Sequence, residues 1–311
     1  MTVTEPRVEA PAPAPPPEVS ERTRHERRLG LALAAPAFIV MVFVTAYPLI
    51  YAVVLSFYNY RLTDPAGKTF VGLGNFATVL TDPVWWSDFV TTLIITVVSV
   101  AVELVLGFAF AWVMYRILFA RSVVRTGILI PYGIITVVSA FIFRYAFQLD
   151  SGFVNQWLGL GEFNWFGQRW SSLLVITLSE IWKTTPFISL LLLAGLVQVP
   201  AELNKAAMVD GATAWQRLTR VTLPNMKAAI MVALLFRTLD AWRIFDNPFI
   251  MTAGANNTET LSFLAYRQNV TLLNLGVGSA VSVLLFFSVV LIAFLFIKGF
   301  GTDLSQVRGD R

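Results

Sequence analysis

The chain contains no cysteine and one histidine, His25, among 311 residues. Disulfides and thiol catalysis are therefore excluded, and no histidine cluster is available to hold a metal or relay protons. Charge is also scarce. Asp, Glu, Lys and Arg make up 14 % of the residues, against about a quarter in soluble domains. The sequence has no G-x4-G-K-[ST] phosphate loop, so it offers no backbone cradle for ATP of its own. What it has in excess is apolar length: 56 % of residues are hydrophobic and the mean hydropathy is +0.68.

A helix crosses a bilayer with about 20 mostly apolar residues. Six stretches reach that length: 29–58, 89–113, 126–148, 173–199, 228–250 and 276–297. They predict an all-α membrane protein with six transmembrane helices. Lys and Arg in short loops favour the cytoplasm. With the N-terminus inside, Arg7, Arg22, Arg24, Arg27, Arg28, Arg116, Arg121, Arg125, Lys205, Arg217, Arg220, Lys227, Lys298, Arg308 and Arg311 fall on the cytoplasmic side. Arg61, Lys68, Arg169, Arg243 and Arg267 fall outside. Both termini are thus expected in the cytoplasm, and the excess of cations belongs to the membrane, with no nucleic acid expected.

Three regions follow. Residues 1–28, with PAPAPPPEVS and the basic run ERTRHERR, read as a disordered cytoplasmic tail. A signal peptide is the alternative, but the apolar run continues through YPLIYAVVLSF, beyond a signal-peptide core. A retained anchor is expected. Residues 29–300 form the six-helix domain and 301–311 a cytoplasmic tail. In the outer segments, Trp85 and Trp86 suit a membrane interface, and residues 150–170, rich in Gly, Trp and Phe, are expected against the membrane.

The segment ELNKAAMVDGATAWQRLTRVTLP, residues 202–224, interrupts the apolar pattern between the fourth and fifth stretches with five charged side chains. Pro200 suits a helix start. AELNKAAMV follows with good helix formers, placing Leu203, Ala206 and Ala207 on one face. Gly211 permits a sharp turn, and ATAWQRLTRV can form a second short helix. An amphipathic loop on the inner leaflet is one reading. A DNA-binding helix-turn-helix is another, but it needs an apolar residue where Arg217 stands.

The segment resembles the cytoplasmic coupling motif of binding-protein-dependent ABC importer permeases, EAA-x3-G-x9-I-x-L-P. Here Lys205, Ala206 and Ala207 are followed by Gly211 and then by Val221, Thr222, Leu223 and Pro224. The spacing fits, while Lys205 replaces the usual glutamate. YPLIYAVVLSFYNY, FVGLGNFATVL, WKTTPF (182–187) and FDNPFIMTAGANNTETLSFLAYR (from Phe245) resemble the maltose- and glycerol-3-phosphate-type permeases. Gly254, Ala255 and Asn256 stand where that subfamily has Gly-Gly-Pro. The resemblance implies a coupling helix between the fourth and fifth spans that docks on partner ATPases through Glu202, Lys205, Ala206, Ala207, Asp210, Gly211, Leu223 and Pro224. It further implies a second permease subunit, two ATP-binding subunits carrying ATP and Mg, an extracytoplasmic substrate-binding lipoprotein, and no cofactor on this chain. The implied setting is the bacterial plasma membrane with its lipid. The implied cargo is a sugar, a disaccharide such as trehalose being expected.

Ionisable groups inside a span are costly and mark function. Arg237 and Asp240 lie three apart in the fifth stretch, with Ala241 and Ile244 extending their face. By resemblance that face lines the sugar pathway, together with Thr184 and Phe187 of the fourth stretch and with Asn247; Trp182 and Lys183 lie close by. Arg243 and Asp246, with Asn247, are nearer the outer surface and suit a gate or a contact with the binding protein. Glu103 and Arg144 are expected to pair structurally, and Glu180 has no assigned partner. Gly276, Gly278, Ser279, Ala280 and Ser282 suit close helix packing. An ion-coupled carrier or channel using Arg237 and Asp240 as a relay is the rival reading, and it leaves the coupling motif unexplained. A membrane-embedded enzyme lacks any nucleophile or metal motif.

Overall fold

A computed structural model describes residues 21–64, 67–117 and 120–299. The expected C-terminal tail and residues 1–20 of the expected N-terminal tail lie outside them. Helix α1, Glu21–Ser56, begins ahead of the predicted span, so ERTRHERR is helical. The described residues divide into two units, one ending at Tyr51 and one beginning at Ala52. In the first, α1 exposes Phe38, Ile39, Phe43 and Tyr47, as lipid-facing side chains must be. Phe43, Tyr47 and Tyr51 form a ladder one turn apart, with ring centroids spaced by 6.1 Å.

The second unit opens with a two-residue hairpin pair, β1 (Tyr58–Asn59) antiparallel to β2 (Thr69–Phe70). Short α2 (Gly74–Thr81) leads to α3 (Pro83–Arg116). The Asp82 side chain accepts from Val84 N at 2.9 Å and Pro83 occupies the first position of α3, a pairing that starts a helix without losing a donor. Next come α4 (Arg121–Gly133), α5 (Thr136–Ala146), α6 (Val154–Leu158) and the long α7 (Arg169–Gln198). The polar segment forms α8 (Ala201–Val209), α9 (Ala214–Arg217), a π-helical turn at Leu218–Thr222 and α10 (Leu223–Asn225). Then follow α11 (Lys227–Ala241), α12 (Asp246–Met251), α13 (Leu261–Tyr266), a π-helical turn at Arg267–Thr271 and α14 (Leu275–Gly299).

Among the described residues, four helices are long and apolar enough to cross a membrane, and a fifth span results if the bent pair α4–α5 counts as one. Two of the six predicted stretches are therefore not single helices. The third breaks by 89° between Gly133 and Thr136. Pro131 removes a donor from the last turn of α4, and Ile134 and Ile135 adopt extended backbone angles that β-branched residues favour. The fifth breaks after α11. In a continuous helix the Pro248 ring would strike the Ile244 carbonyl, so Phe245 turns out of the helix at φ −133°. The freed Ile244 carbonyl accepts from the buried Thr260 hydroxyl at 2.9 Å. That bond makes the break tolerable at membrane depth.

The packing centres on α3 against α7. Ile95, Leu173, Ile176, Ile244 and Met251 fill one apolar cluster, while Ala111, Ile188, Leu192, Leu196 and Ala233 fill another. Trp85, Trp242, Leu261 and Val281 join α3 to α13 and α14. On α14, Gly276, Gly278, Ser279 and Ala280 are buried, as expected of a small-residue packing face. Gly107 permits the closest approach of α3 to α7, since a Cβ there would lie 2.6 Å from Ile188 Cγ2. Gly107→Val is accordingly expected to destabilise the unit by about 1–3 kcal/mol, read as a lower unfolding temperature in detergent. Adding Ile188→Ala should recover part of the loss; no recovery would mean that the two helices do not meet there.

Candidate functional site

Arg237 of α11 and Glu103, one of the two glutamates it reaches across the unit, are fully buried, and the other, Glu180, is 6 % exposed. Its Nε donates to Glu103 Oε2 at 2.5 Å and its Nη2 to Glu103 Oε1 at 3.0 Å, a two-pronged contact with α3. Nη2 also donates to Glu180 Oε1 of α7 at 2.7 Å, and Nη1 to Asp240 Oδ2 at 2.9 Å. Thr184 Oγ1 donates to Glu103 Oε1 at 2.7 Å, and Asn247 Nδ2 of α12 to Glu180 Oε2 at 2.7 Å. One guanidinium thus holds carboxylates from three helices, in the geometry that favours arginine over lysine.

This arrangement corrects one expected pairing. Glu103 pairs with Arg237 and not with Arg144, whose Nη1 donates to the Ile250 carbonyl at 2.7 Å. Arg144 lies in the last turn of α5, whereas Glu103 lies well inside α3, and that mismatch in depth was a usable signal. Glu180 gains Arg237 and Asn247 as partners.

A polar cavity of about 260 Å³ adjoins the cluster. Of the expected pathway residues, Thr184, Asp240 and Ile244 line it. Asp240 is its most accessible acid, with 60 % of the side chain exposed despite the bond to Arg237. Arg237 and Asn247 lie behind the wall, and Ala241 is fully buried. Phe187 stacks on Tyr132 at 5.6 Å, and Tyr132 lines the cavity with Thr136, Glu180, Lys183, Arg243, Phe245 and Asp246. Sequence reasoning missed Tyr132 and Thr136, because only the break between α4 and α5 brings them there. Asn247 Oδ1 has no hydrogen-bond partner.

Outside the spans, Glu259 accepts from Arg267 Nε at 2.8 Å. Burial raises the Glu259 carboxyl above its usual range, against the opposing pull of Arg267.

The polar segment has a different character. Neither α8 nor α9 has a buried residue, and Met208, Val209 and Trp215 are among its exposed apolar side chains. Glu202 lies in the first turn of α8, Lys205, Ala206 and Ala207 follow on it, and Asp210 caps its end. Gly211 takes the left-handed conformation, φ +79°. Gly211 N donates to Met208 O at 3.1 Å and Ala212 N to Ala207 O at 2.9 Å, the two bonds of a Schellman turn. Thr213 and Gln216 then form a reciprocal capping box for α9. Leu223 and Pro224 lie in α10 at the entry to α11.

The broken-helix membrane unit with its exposed helical hook has the fold of subunits found in solved ABC transporters. The fold agrees with a solved bacterial ABC transporter that imports the acidic polysaccharide alginate: TM-score 0.78 and 21 % identity, covering 91 % of this chain and 99 % of that one. A related structure, in complex with an alginate pentasaccharide-bound periplasmic protein, gives TM-score 0.77 and 21 % identity over 90 % and 96 % of the two chains. At that identity the likeness is one of fold.

Residues 103–304 match the binding-protein-dependent transport system inner membrane component family, and the chain belongs to that family. It is 52 % identical over 276 residues to the trehalose transport system permease protein SugA of Mycobacterium tuberculosis (strain H37Rv), covering 89 % of this chain and 90 % of that protein. It is 35 % identical over 279 residues to the trehalose/maltose transport system permease protein MalF of Thermococcus litoralis, covering 88 % and 94 %. The chain is a multi-pass membrane permease subunit, a transport component and not an enzyme.

Proposed function

We propose that the chain is one of two permease halves of an ATP-driven importer for a neutral sugar, with a disaccharide such as trehalose as cargo. The observation that carries this reading is the polar cavity beside the Arg237 cluster. Among apolar helices it offers Asp240 as an acceptor, Lys183 and Arg243 as donors, and Tyr132 as an aromatic face. Pyranose recognition draws on that mixture of charge-assisted hydrogen bonds and apolar contact. The 52 % identity to a trehalose permease supports the cargo.

The remaining parts of the machine follow from family membership: a second permease, two ATPases that hold ATP and Mg, and an extracytoplasmic binding protein. The distribution of Lys and Arg supports six spans with both termini in the cytoplasm; the broken α4–α5 and α11–α12 serve as the third and fifth. The exposed hook at 202–224 docks on the ATPases through Glu202, Lys205, Ala206, Ala207, Asp210 and Gly211, with Leu223 and Pro224 joining it to α11. Closing and parting of the ATPases then rocks the spans as rigid bodies.

The test is reconstitution with the cognate partners in proteoliposomes and measurement of labelled trehalose. Accumulation should require ATP, the ATPases and the binding protein together. Uptake that follows a proton or sodium gradient without ATPases would overturn the reading. Asp240→Ala should weaken apparent sugar affinity roughly 10- to 100-fold, the loss of one hydrogen bond to a charged group, while the ATPases still copurify. Unchanged uptake kinetics would return Asp240 to a purely structural role.

A further inference from the structure

We propose that the connection between α5 and α7 carries an interfacial lipid anchor, in which α6 sets Phe153, Trp157, Leu158 and Leu160 into the headgroup region of the leaflet where α7 begins. Trp157 is 80 % exposed and Leu158 59 %, and Phe153 packs on Trp157 with ring centroids 4.5 Å apart. Residues 153–161, FVNQWLGLG, include no ionisable side chain. A contiguous apolar patch of this kind is not left in water without a partner.

The patch is held on a built scaffold. Asn155, with 5 % exposure, donates through Nδ2 to the Phe163 carbonyl at 2.9 Å and accepts from Trp165 Nε1 at 2.7 Å. Trp165 meets Phe147 edge-on at 5.2 Å, and its carbonyl accepts from Ser172 Oγ of α7 at 3.3 Å. The buried side of the connection is thereby fastened to both flanking helices, leaving the apolar side chains outermost.

Continuity with the membrane surface identifies the occupant. Just before the connection α5 exposes Phe141, Ile142 and Tyr145, and just after it α7 opens with exposed Trp170. The Arg169 guanidinium lies 5.8 Å from the Trp170 ring centroid. Trp beside Arg at the end of a span is the composition of a membrane–water boundary. The consequence is mechanical: α7, which carries Glu180, Lys183 and Thr184, is fixed in depth at its first turn.

The absence of cysteine allows a direct test. Leu158→Cys carrying a nitroxide, in the assembled importer in lipid nanodiscs, is compared by power-saturation EPR with Phe141→Cys and with Thr63→Cys in the exposed connection between β1 and β2, the unsubstituted complex serving as blank. The accessibility ratio of oxygen to an aqueous nickel chelate at Leu158→Cys should shift toward that of Phe141→Cys, with or without sugar-loaded binding protein. A ratio like that of Thr63→Cys would overturn the proposal. So would protection from both reagents on adding binding protein, which would assign the patch to that protein. If Leu158→Cys fails to assemble, Trp157→Cys gives the same reading.

Discussion

Arg237→Met is expected to cost the second unit about 3–5 kcal/mol, the usual result of removing one partner from a buried ion pair. That is a large part of the 5–15 kcal/mol that holds a typical domain folded. The penalty arises because Glu103 and Glu180 remain buried without their cation, not because methionine packs badly. Yield of monodisperse protein and the unfolding temperature in mild detergent are the measurements. Arg237→Lys should not rescue, since one ammonium cannot reproduce the fork to Glu103 while also reaching Glu180 and Asp240. Glu103→Gln added to Arg237→Met should recover part of the loss by removing one stranded charge. An unfolding temperature unchanged by Arg237→Met would show that the cluster does not hold α3, α7 and α11 together.

The same cluster marks where the sequence stops being legible. Arg237 and Asp240 could be read as neighbours because a helix brings residues three apart onto one face. Glu103 is 134 positions from Arg237, and no local pattern reports a contact of that range. What the sequence did carry was depth along each helix, a signal against the expected pairing of Glu103 with Arg144, which the structure replaces with Arg237. The helix breaks divide in the same way. Pro248 was the available signal for a break in the fifth stretch, which reads as one continuous span, and the acceptor it frees is satisfied by Thr260, from a later segment. The break after Gly133 had weaker signals, so Tyr132 was missed as a cavity residue. The hook at 202–224 was legible almost throughout because its determinants are local: Pro200, the left-handed Gly211, and Thr213 with Gln216 three residues on. Only the family pattern pointed to partner surfaces for it.

The locality of those determinants makes Gly211→Pro the sharpest functional test. Gly211 sits at φ +79°, whereas proline is fixed near −65°. The substitution also deletes the N–H that bonds to Met208 O at 3.1 Å. The turn between α8 and α9 must therefore re-form in another geometry. Neither helix has a buried residue, so the membrane unit should insert and purify as before. The expected result is continued ATP hydrolysis by the assembled importer with sugar uptake near background, read as sugar moved per ATP consumed. Gly211→Ala should lie between, since an L-residue in the left-handed region costs only about 1–2 kcal/mol. Loss of ATPase copurification would make the turn a docking element, whereas retained docking with lost uptake would make it a transmitter. Normal sugar-to-ATP ratios in a well-assembled Gly211→Pro importer would remove the hook from the mechanism and leave its exposed Met208, Val209 and Trp215 to be explained by another contact.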